Sequence, residues 1–564
     1  MSHGPLDAAI SERLARWEEE RVAERLWAKD GSLWAGSGTP PDELSRWLGW
    51  LDLPAAMSAR VPELEHLARD IRADGYTRAA VLGMGGSSLA PELFSRVFAD
   101  ASGLELRILD STHPDSVREF RDWAQAARTV FMVSSKSGST TEPNAFHAAM
   151  SDFAPALDFV AITDPGSSLA ELARAQEFRA IVDSPPDVGG RYSALSVFGL
   201  VPAALHGVDL GALLASAEAM ADACRRPASA NPGLRLGATI GEAALAGRDK
   251  LTILTAGRLA SFGDWAEQLV AESTGKHGRG IVPIVREPLS EPEQYGGDRC
   301  FVVITLPEAA GPELAELAEL ADLASALEGL GHPVTRMSIS DPAELGGEFL
   351  RWEVATAAAG MILDIDPYDQ PNVQESKDAT RELLDAFRRD GSLPSPEPMA
   401  RHGGVAAFTQ ADALAGASDP AAAFRRLLAG IGEGDYFALL AYLPRQDEIT
   451  QRLQQLRARV GAVSGVATTL GFGPRFLHST GQLHKGGPDS GVFLQLTAEP
   501  QRDLPIPGWD ETFGTLIAAQ ALGDLRSLQA RDRRALRLHG NDPETLLRAL
   551  EEMVPSAAAA GIGG

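Results

Sequence analysis

The stretch VFMVSSKSGSTTE, Val130 to Glu142, joins a short unbroken apolar run to a cluster of small hydroxyl residues around one lysine. Val130, Phe131, Met132 and Val133 have the continuous apolarity of a parallel strand covered on both faces. Ser134, Ser135, Ser137, Ser139, Thr140 and Thr141 then surround Lys136, Gly138 allows a tight turn, and Pro143 marks the first turn of a helix. In that order a strand, a hydroxyl-rich turn and a helix N-terminus form a cradle for one anion, because hydroxyls, backbone N–H groups and the helix dipole converge there. A Ser-rich helix cap is the plainer reading, but a cap uses one hydroxyl and leaves the others unexplained.

The same alternation extends outward from this stretch. AAVLGMG, LELRILDS, TVFMVSS, DFVAITD and FRAIVDS are short apolar runs separated by helical segments, and the pattern restarts with KLTILTAG from Lys250, GIVPIVRE from Gly280, CFVVITLP from Cys300 and PVTRMSIS from Pro333. Such alternation predicts βαβ units and parallel sheets. The expected fold class is α/β, with two consecutive doubly wound parallel-sheet domains over 75–230 and 231–392. LARWEEERVAERLW and PDELSRWLGWL, with Leu and Trp at helical spacing, make residues 1–74 an N-terminal helical arm. SLPSPEPMARHGG is rich in Pro, Ser and Gly and supplies a linker over 393–404. Beyond it DYFALLAYLP, GVATTLGFG and GVFLQLTAEP read as strands, and Ile449, Leu453, Leu456 and Val460 trace an amphipathic helix. Residues 405–555 are thus a smaller C-terminal α/β unit, and 556–564 a disordered tail.

The chain has 564 residues, 44% hydrophobic and 23% charged, with a formal net charge of -26. That field repels phosphate backbones and anionic bilayers, so neither nucleic acid nor a membrane is an expected partner. A small anionic substrate remains compatible where basic residues gather locally. The acidic N-terminal segment lacks the apolar core of a signal peptide, and the apolar stretch from Ala194 to Val208 is interrupted by Ser196, Pro202 and His206. With only Cys224 and Cys300 as thiols, a reducing, cytoplasmic setting is expected, without a disulfide framework or zinc chemistry.

Further motifs carry chemistry. Gly83-Met84-Gly85-Gly86-Ser87-Ser88 sits at a strand-to-helix turn where backbone amides can face a ligand. It is not a dinucleotide fingerprint, since the third glycine would fall at Ser88. Gly189-Gly190-Arg191-Tyr192-Ser193 presents an arginine after two flexible glycines, suited to a developing oxyanion, with a surface ion pair as the plainer alternative. In DWAEQLVAESTGKHG, Trp265, Leu269 and Glu272 share one helix face, so Glu272 sits on the apolar side while Glu267 points elsewhere. Burial and a helix C-terminus both raise a carboxyl pKa, as a general base near neutrality requires. Pairing of Glu272 with Lys276 one turn on is the competing reading. Gln370 and Lys377 stand two helical turns apart on one face. Phe476 to Gly487 places His478, His484 and Lys485 in a polar loop between strands, with no partner spacing for a metal site.

Together GMGGSS, SSKSGSTT, GGRYS, AESTGK and DQPNVQESK resemble the glucose-6-phosphate isomerase family, whose two sugar isomerase (SIS) domains would cover roughly residues 75 to 390. With the RLWAKDGSLW arm and the HSTGQLHKGG region, the chain looks most like the isomerase half of bifunctional transaldolase/glucose-6-phosphate isomerases, with no length left for a transaldolase barrel. The resemblance implies interconversion of glucose 6-phosphate and fructose 6-phosphate through a cis-enediol, with no cofactor and no metal. It implies that Ser87, Ser135, Lys136, Ser137 and Thr140 hold the sugar phosphate, with Gly86, Gly190 and Gln370 also at the substrate. It makes Glu272 the base, Arg191 the enediolate stabiliser, and Lys377 and His478 the ring-opening pair. In the usual family order the histidine falls between the glutamate and lysine motifs, whereas here LHSTGQ follows Lys377. Family members are commonly dimers, so a homodimer acting on a small hexose phosphate is expected. Isomerisation of another hexose 6-phosphate, such as mannose 6-phosphate, and a non-catalytic phosphosugar-binding SIS regulator are the alternatives. The regulator has no use for Glu272 on an apolar helix face.

Overall fold

The structure, a computed structural model, describes residues 6–306, 312–414 and 416–554. Its described strands form three sheets. The first contains β1 (Arg78–Gly83), β2 (Glu105–Leu109), β3 (Thr129–Ser134), β4 (Phe159–Thr163) and β5 (Ala180–Asp183), all parallel in the order β2-β1-β3-β4-β5. The second contains β6 (Lys250–Thr255), β7 (Val282–Val285), β8 (Arg299–Thr305) and β9 (Val334–Ser338), parallel in the order β7-β6-β8-β9. Every residue of β3 is buried, which is what its unbroken apolar run requires.

The third sheet is mixed. It holds β10 (Ala400–His402), β11 (Val405–Phe408), β12 (Tyr436–Tyr442), β13 (Ala467–Phe472), β14 (Gly491–Ala498) and β15 (Arg534–Gly540), in the order β10-β11-β15-β14-β12-β13. β12 to β15 run parallel, while β11 is antiparallel to both β10 and β15. The stretch read as a linker over 393–404 therefore ends in an edge strand, because Ala400 to His402 find backbone partners on β11 across a Gly403-Gly404 turn with φ of 58° and 80°. The tail over 556–564 lies outside the described residues.

The three sheets share cores. The N-terminal arm contributes Ile10, Leu14, Trp17, Trp34 and Trp50 to one continuous apolar cluster with Val81 and Met132 of the first sheet and Ile253 of the second. β3 alternates its side chains, so Phe131 and Val133 face the opposite side and need separate cover. That cover starts with nearby residues such as Phe146 and Met150 of the helix Thr141–Ser151, and the same apolar cluster is extended from far along the chain by Leu383 and Leu384 of the helix Pro371–Asp390 and by Phe513, Leu516 and Ala519 of the helix Phe513–Gln529. Phe146 and Phe513 lie ring over ring at 6.4 Å. The segment expected to close the chain as a unit of its own thus completes the first sheet as well.

The second and third sheets meet at Arg457. Its fully buried guanidinium donates to the carbonyls of Val285 and Arg286 at the end of β7, and to the carbonyl and hydroxyl of Thr468 on β13. No described helix is long and apolar enough to cross a membrane.

Candidate active site

The C-terminal ends of β1 and β3 carry two tight turns. After β1, Gly85 takes a φ of 55°, and Gly86 packs so close to the arginine loop that an added Cβ would lie 1.9 Å from the Gly190 carbonyl oxygen. GMGGSS and GGRYS therefore touch through backbone, and Ser87 is left half-buried between them and solvent. After β3, Ser135 Oγ donates to Thr140 Oγ1 at 3.0 Å and accepts from the Gly138 amide at 3.2 Å, with Gly138 at a φ of 72°. Ser137 and Ser139 pair at 2.9 Å on the exposed rim, and the helix Thr141–Ser151 starts directly behind. Hydroxyls and a helix N-terminus converge here as the sequence predicts. The Lys136 ammonium, however, donates to Asp164 Oδ2 at 2.6 Å and to the Pro186 carbonyl at 3.0 Å, so its charge is already committed.

Arg191 is buried, at 4% exposure, and every arm of its guanidinium is held. Nε donates to Ser273 Oγ at 2.8 Å, Nη1 to Gln370 Oε1 at 2.9 Å, and Nη2 to the carbonyls of Pro367 at 2.6 Å and Asp369 at 3.0 Å. Nη1 also stands 3.2 Å from Glu272 Oε1. Arginine alone among side chains offers this planar fork of donors.

Glu272 sits in the last turn of the helix Ala260–Thr274, buried on its apolar face. Its Oε2 accepts from Gln268 Nε2 at 3.0 Å, one turn earlier, and the same amide nitrogen donates to the His478 carbonyl at 2.8 Å. Lys276, the alternative partner, points elsewhere: it donates to the Asp366 carbonyl and pairs with Asp369 at 2.5 Å. Burial, with Arg191 nearby, lowers the Lys276 ammonium to about 8. Glu267 does leave the site, lining a separate cavity of about 100 Å³ with Arg286, Arg445, Arg457 and Arg475.

His478 reaches this centre despite its late place in the chain. Its Nε2 lies 3.1 Å from Glu142 Oε1, the last residue of the quoted stretch. Burial pushes the Glu142 carboxyl up, but His478 beside it holds the net value below the usual carboxylate range. Lys377 is exposed on the helix Pro371–Asp390, and its charge adds to that lowering.

The region expected as a polar loop is instead helical and buried. Arg475–His478 forms one 3-10 turn and Gly481–Gly486 a short helix. Gln482 accepts from the Asn372 amide at 2.9 Å and donates to the Gly275 carbonyl at 3.0 Å, tying this segment to both the lysine and the glutamate motifs. Lys485 pairs with Asp524 at 2.7 Å, both out of solvent. His484 packs among Phe476 and Phe493 rings and is held neutral by burial.

Glu142, Gln268, Ser273, Gln482 and Gln520 join the site without having been singled out in the sequence. Helical spacing from Glu272 points to Gln268, while Glu142, Ser273 and Gln482 fall inside the hydroxyl, glutamate and histidine motifs without a role of their own; Gln520, which donates to Glu142 Oε1 at 2.7 Å, carries no local signal.

No family model matches the chain. A glucose-6-phosphate isomerase of Rubrobacter xylanophilus is 28% identical over 412 residues, covering 64% of this chain and 93% of the relative. A glucose-6-phosphate isomerase of a Synechococcus species is 34% identical over 446 residues, covering 66% of this chain and 83% of the relative. The solved structure of a hypothetical protein of Thermus thermophilus shares the fold, with a TM-score of 0.57 and 24% identity over 68% of this chain and 99% of its own. Both the aligned length and the sequence identity of the Synechococcus relative lead to one assignment: this chain belongs to the glucose-6-phosphate isomerase family.

Proposed function

We propose that this chain interconverts glucose 6-phosphate and fructose 6-phosphate through a cis-enediol. The observation that carries the reading is Glu272, a buried carboxylate held by Gln268 and facing Arg191 at 3.2 Å. A base fixed beside a cation that faces the developing oxyanion is what proton transfer next to a carbonyl requires.

Ser87, Ser135, Ser137 and Thr140 hold the phosphate with the turn's backbone amides, including those of Gly86 and Lys136. Because the Lys136 ammonium is bonded to Asp164, this residue serves through its backbone. Gly190 and Gln370 border the sugar. His478, oriented by Glu142 and assisted by Lys377, moves protons between the anomeric hydroxyl and the ring oxygen, which opens the ring. Glu272 then carries the proton from C2 to C1 while Arg191 offsets the enediolate charge. Glucose 6-phosphate and fructose 6-phosphate are isomers, so the reaction has no net redox change.

The expected division of labour puts the phosphate cradle in residues 75–230, the base in 231–392 and the histidine in 405–555. The family resemblance supports a homodimer working in the cytoplasm, and sedimentation of the purified chain tests the assembly.

Purified protein given fructose 6-phosphate should form glucose 6-phosphate, read by a coupled dehydrogenase. Glu272→Gln should lower kcat by about 10²–10⁴-fold while phosphosugar binding persists. Full activity in that variant would overturn the base assignment. Mannose 6-phosphate, assayed alongside, separates the other-hexose reading, and an inert wild type that still binds phosphosugars would favour the regulator.

A further inference from the structure

Glu142 Oε1 receives two donors. His478 Nε2 stands at 3.1 Å, and Gln520 Nε2 donates to the same oxygen at 2.7 Å. The other end of the Gln520 amide is also engaged, since its Oε1 accepts from the Thr112 hydroxyl at 2.7 Å. Only one amide orientation satisfies this line. A flipped amide would set its oxygen against the carboxylate, acceptor to acceptor. Thr112 is fully buried and Gln520 is 2% exposed, so water does not compete for these bonds. Thr112 comes from the segment after β2, Glu142 from the helix after β3, and Gln520 from the helix Phe513–Gln529. Three distant segments thus converge on one dry hydrogen-bond line that ends at the imidazole.

We propose that Gln520, held by Thr112, is a positioning residue for ring opening: it keeps Glu142 an acceptor for His478 Nε2–H and leaves Nδ1 to exchange protons with the sugar. The proposal rests on the reading of His478 as the ring-opening group. A carboxylate that accepts from one imidazole nitrogen fixes both the tautomer and the ring plane. During opening the bond between the anomeric carbon and the ring oxygen breaks, the ring oxygen gains a proton and the anomeric hydroxyl loses one. Nδ1 delivers the first as imidazolium and recovers the second, while Nε2–H stays on Glu142. The Gln520 N–H contributes by stabilising the ionised carboxylate without taking part in the transfer.

Two ketose phosphates separate this role from a general structural one. Fructose 6-phosphate must open, whereas 5-deoxyfructose 6-phosphate lacks the hydroxyl that closes the ring and stays acyclic. Its turnover is read as exchange of a C1 proton in deuterated water. Gln520→Leu should lower kcat on fructose 6-phosphate about tenfold or more, with KM and the acyclic exchange within about twofold of wild type. The acid limb of kcat/KM for fructose 6-phosphate should move to higher pH, because a carboxylate without its N–H donor protonates more readily. Thr112→Val, which keeps the side-chain shape, should shift the same quantities in the same direction by less, and it carries the test alone if Gln520→Leu fails to fold. Equal loss on both ketoses, or no loss on either, overturns the role of Gln520. A wild type inert on both ketoses overturns the isomerase reading itself.

Discussion

Arg191 shows how far a single side chain can be committed. Its fork meets a hydroxyl, an amide oxygen and two carbonyls before it faces Glu272. Lysine cannot reproduce that geometry, so Arg191→Lys should lower kcat about 10²-fold with little change in KM, measured on fructose 6-phosphate at saturation. Glu142 makes a second prediction, about pH. Its folded carboxyl lies below its ordinary value of 4.5. The ionised form therefore stabilises the fold above that value, and the contribution is lost as pH falls through the lower folded value. The difference in melting temperature between wild type and Glu142→Gln should accordingly be present at pH 7 and shrink below pH 4.5. At this scale the sequence is readable where partners are close in the chain. Glu272 and Gln268 follow from helical period, whereas Gln520 and Glu142 lie 378 positions apart and nothing in either neighbourhood announces the other.

Elements were legible where their apolar pattern was distinctive. The inner strands β3 and β4 are built on apolar runs buried along their whole length, whereas β2 and β9 at the sheet edges keep exposed residues. The helix Gly481–Gly486 has six residues, less than two turns, so no period could separate it from a loop. It is held by packing instead. A Cβ on Gly486 would fall 2.4 Å from Asn372 Oδ1 and 2.6 Å from the Gly275 carbonyl oxygen. The buried Lys485 pair with Asp524 fixes the same helix, and Lys485→Met should cost about 3–5 kcal/mol by leaving Asp524 charged and without its cation. Replacing both partners by apolar residues should recover much of that loss in denaturant titration. The helix Phe513–Gln529 has a larger load. Phe513 is fully buried against Phe146, and Phe513→Ala should destabilise by about 3–5 kcal/mol in the same measurement.

For the whole molecule, the sequence predicts two parallel sheets and a smaller C-terminal α/β unit; the parallel sheets are present, and the third sheet proves to be mixed, with β11 antiparallel to both neighbours. The dependence of the first sheet on the last third of the chain was not legible, because apolar residues mark that a helix is covered without naming its cover. A chain ending at residue 392 should therefore do more than lose His478. It should leave Phe146 open to water and bind a hydrophobic dye, while the full chain does not. The way Gln268 holds its neighbours has a mechanical consequence. One amide nitrogen grips both the Glu272 carboxylate and the backbone of His478. The proposed base and the proposed ring-opening group are thus set at one gauge, like jaws on a common shaft. On the proposed mechanism, the sugar rather than the protein therefore pivots between opening and isomerisation.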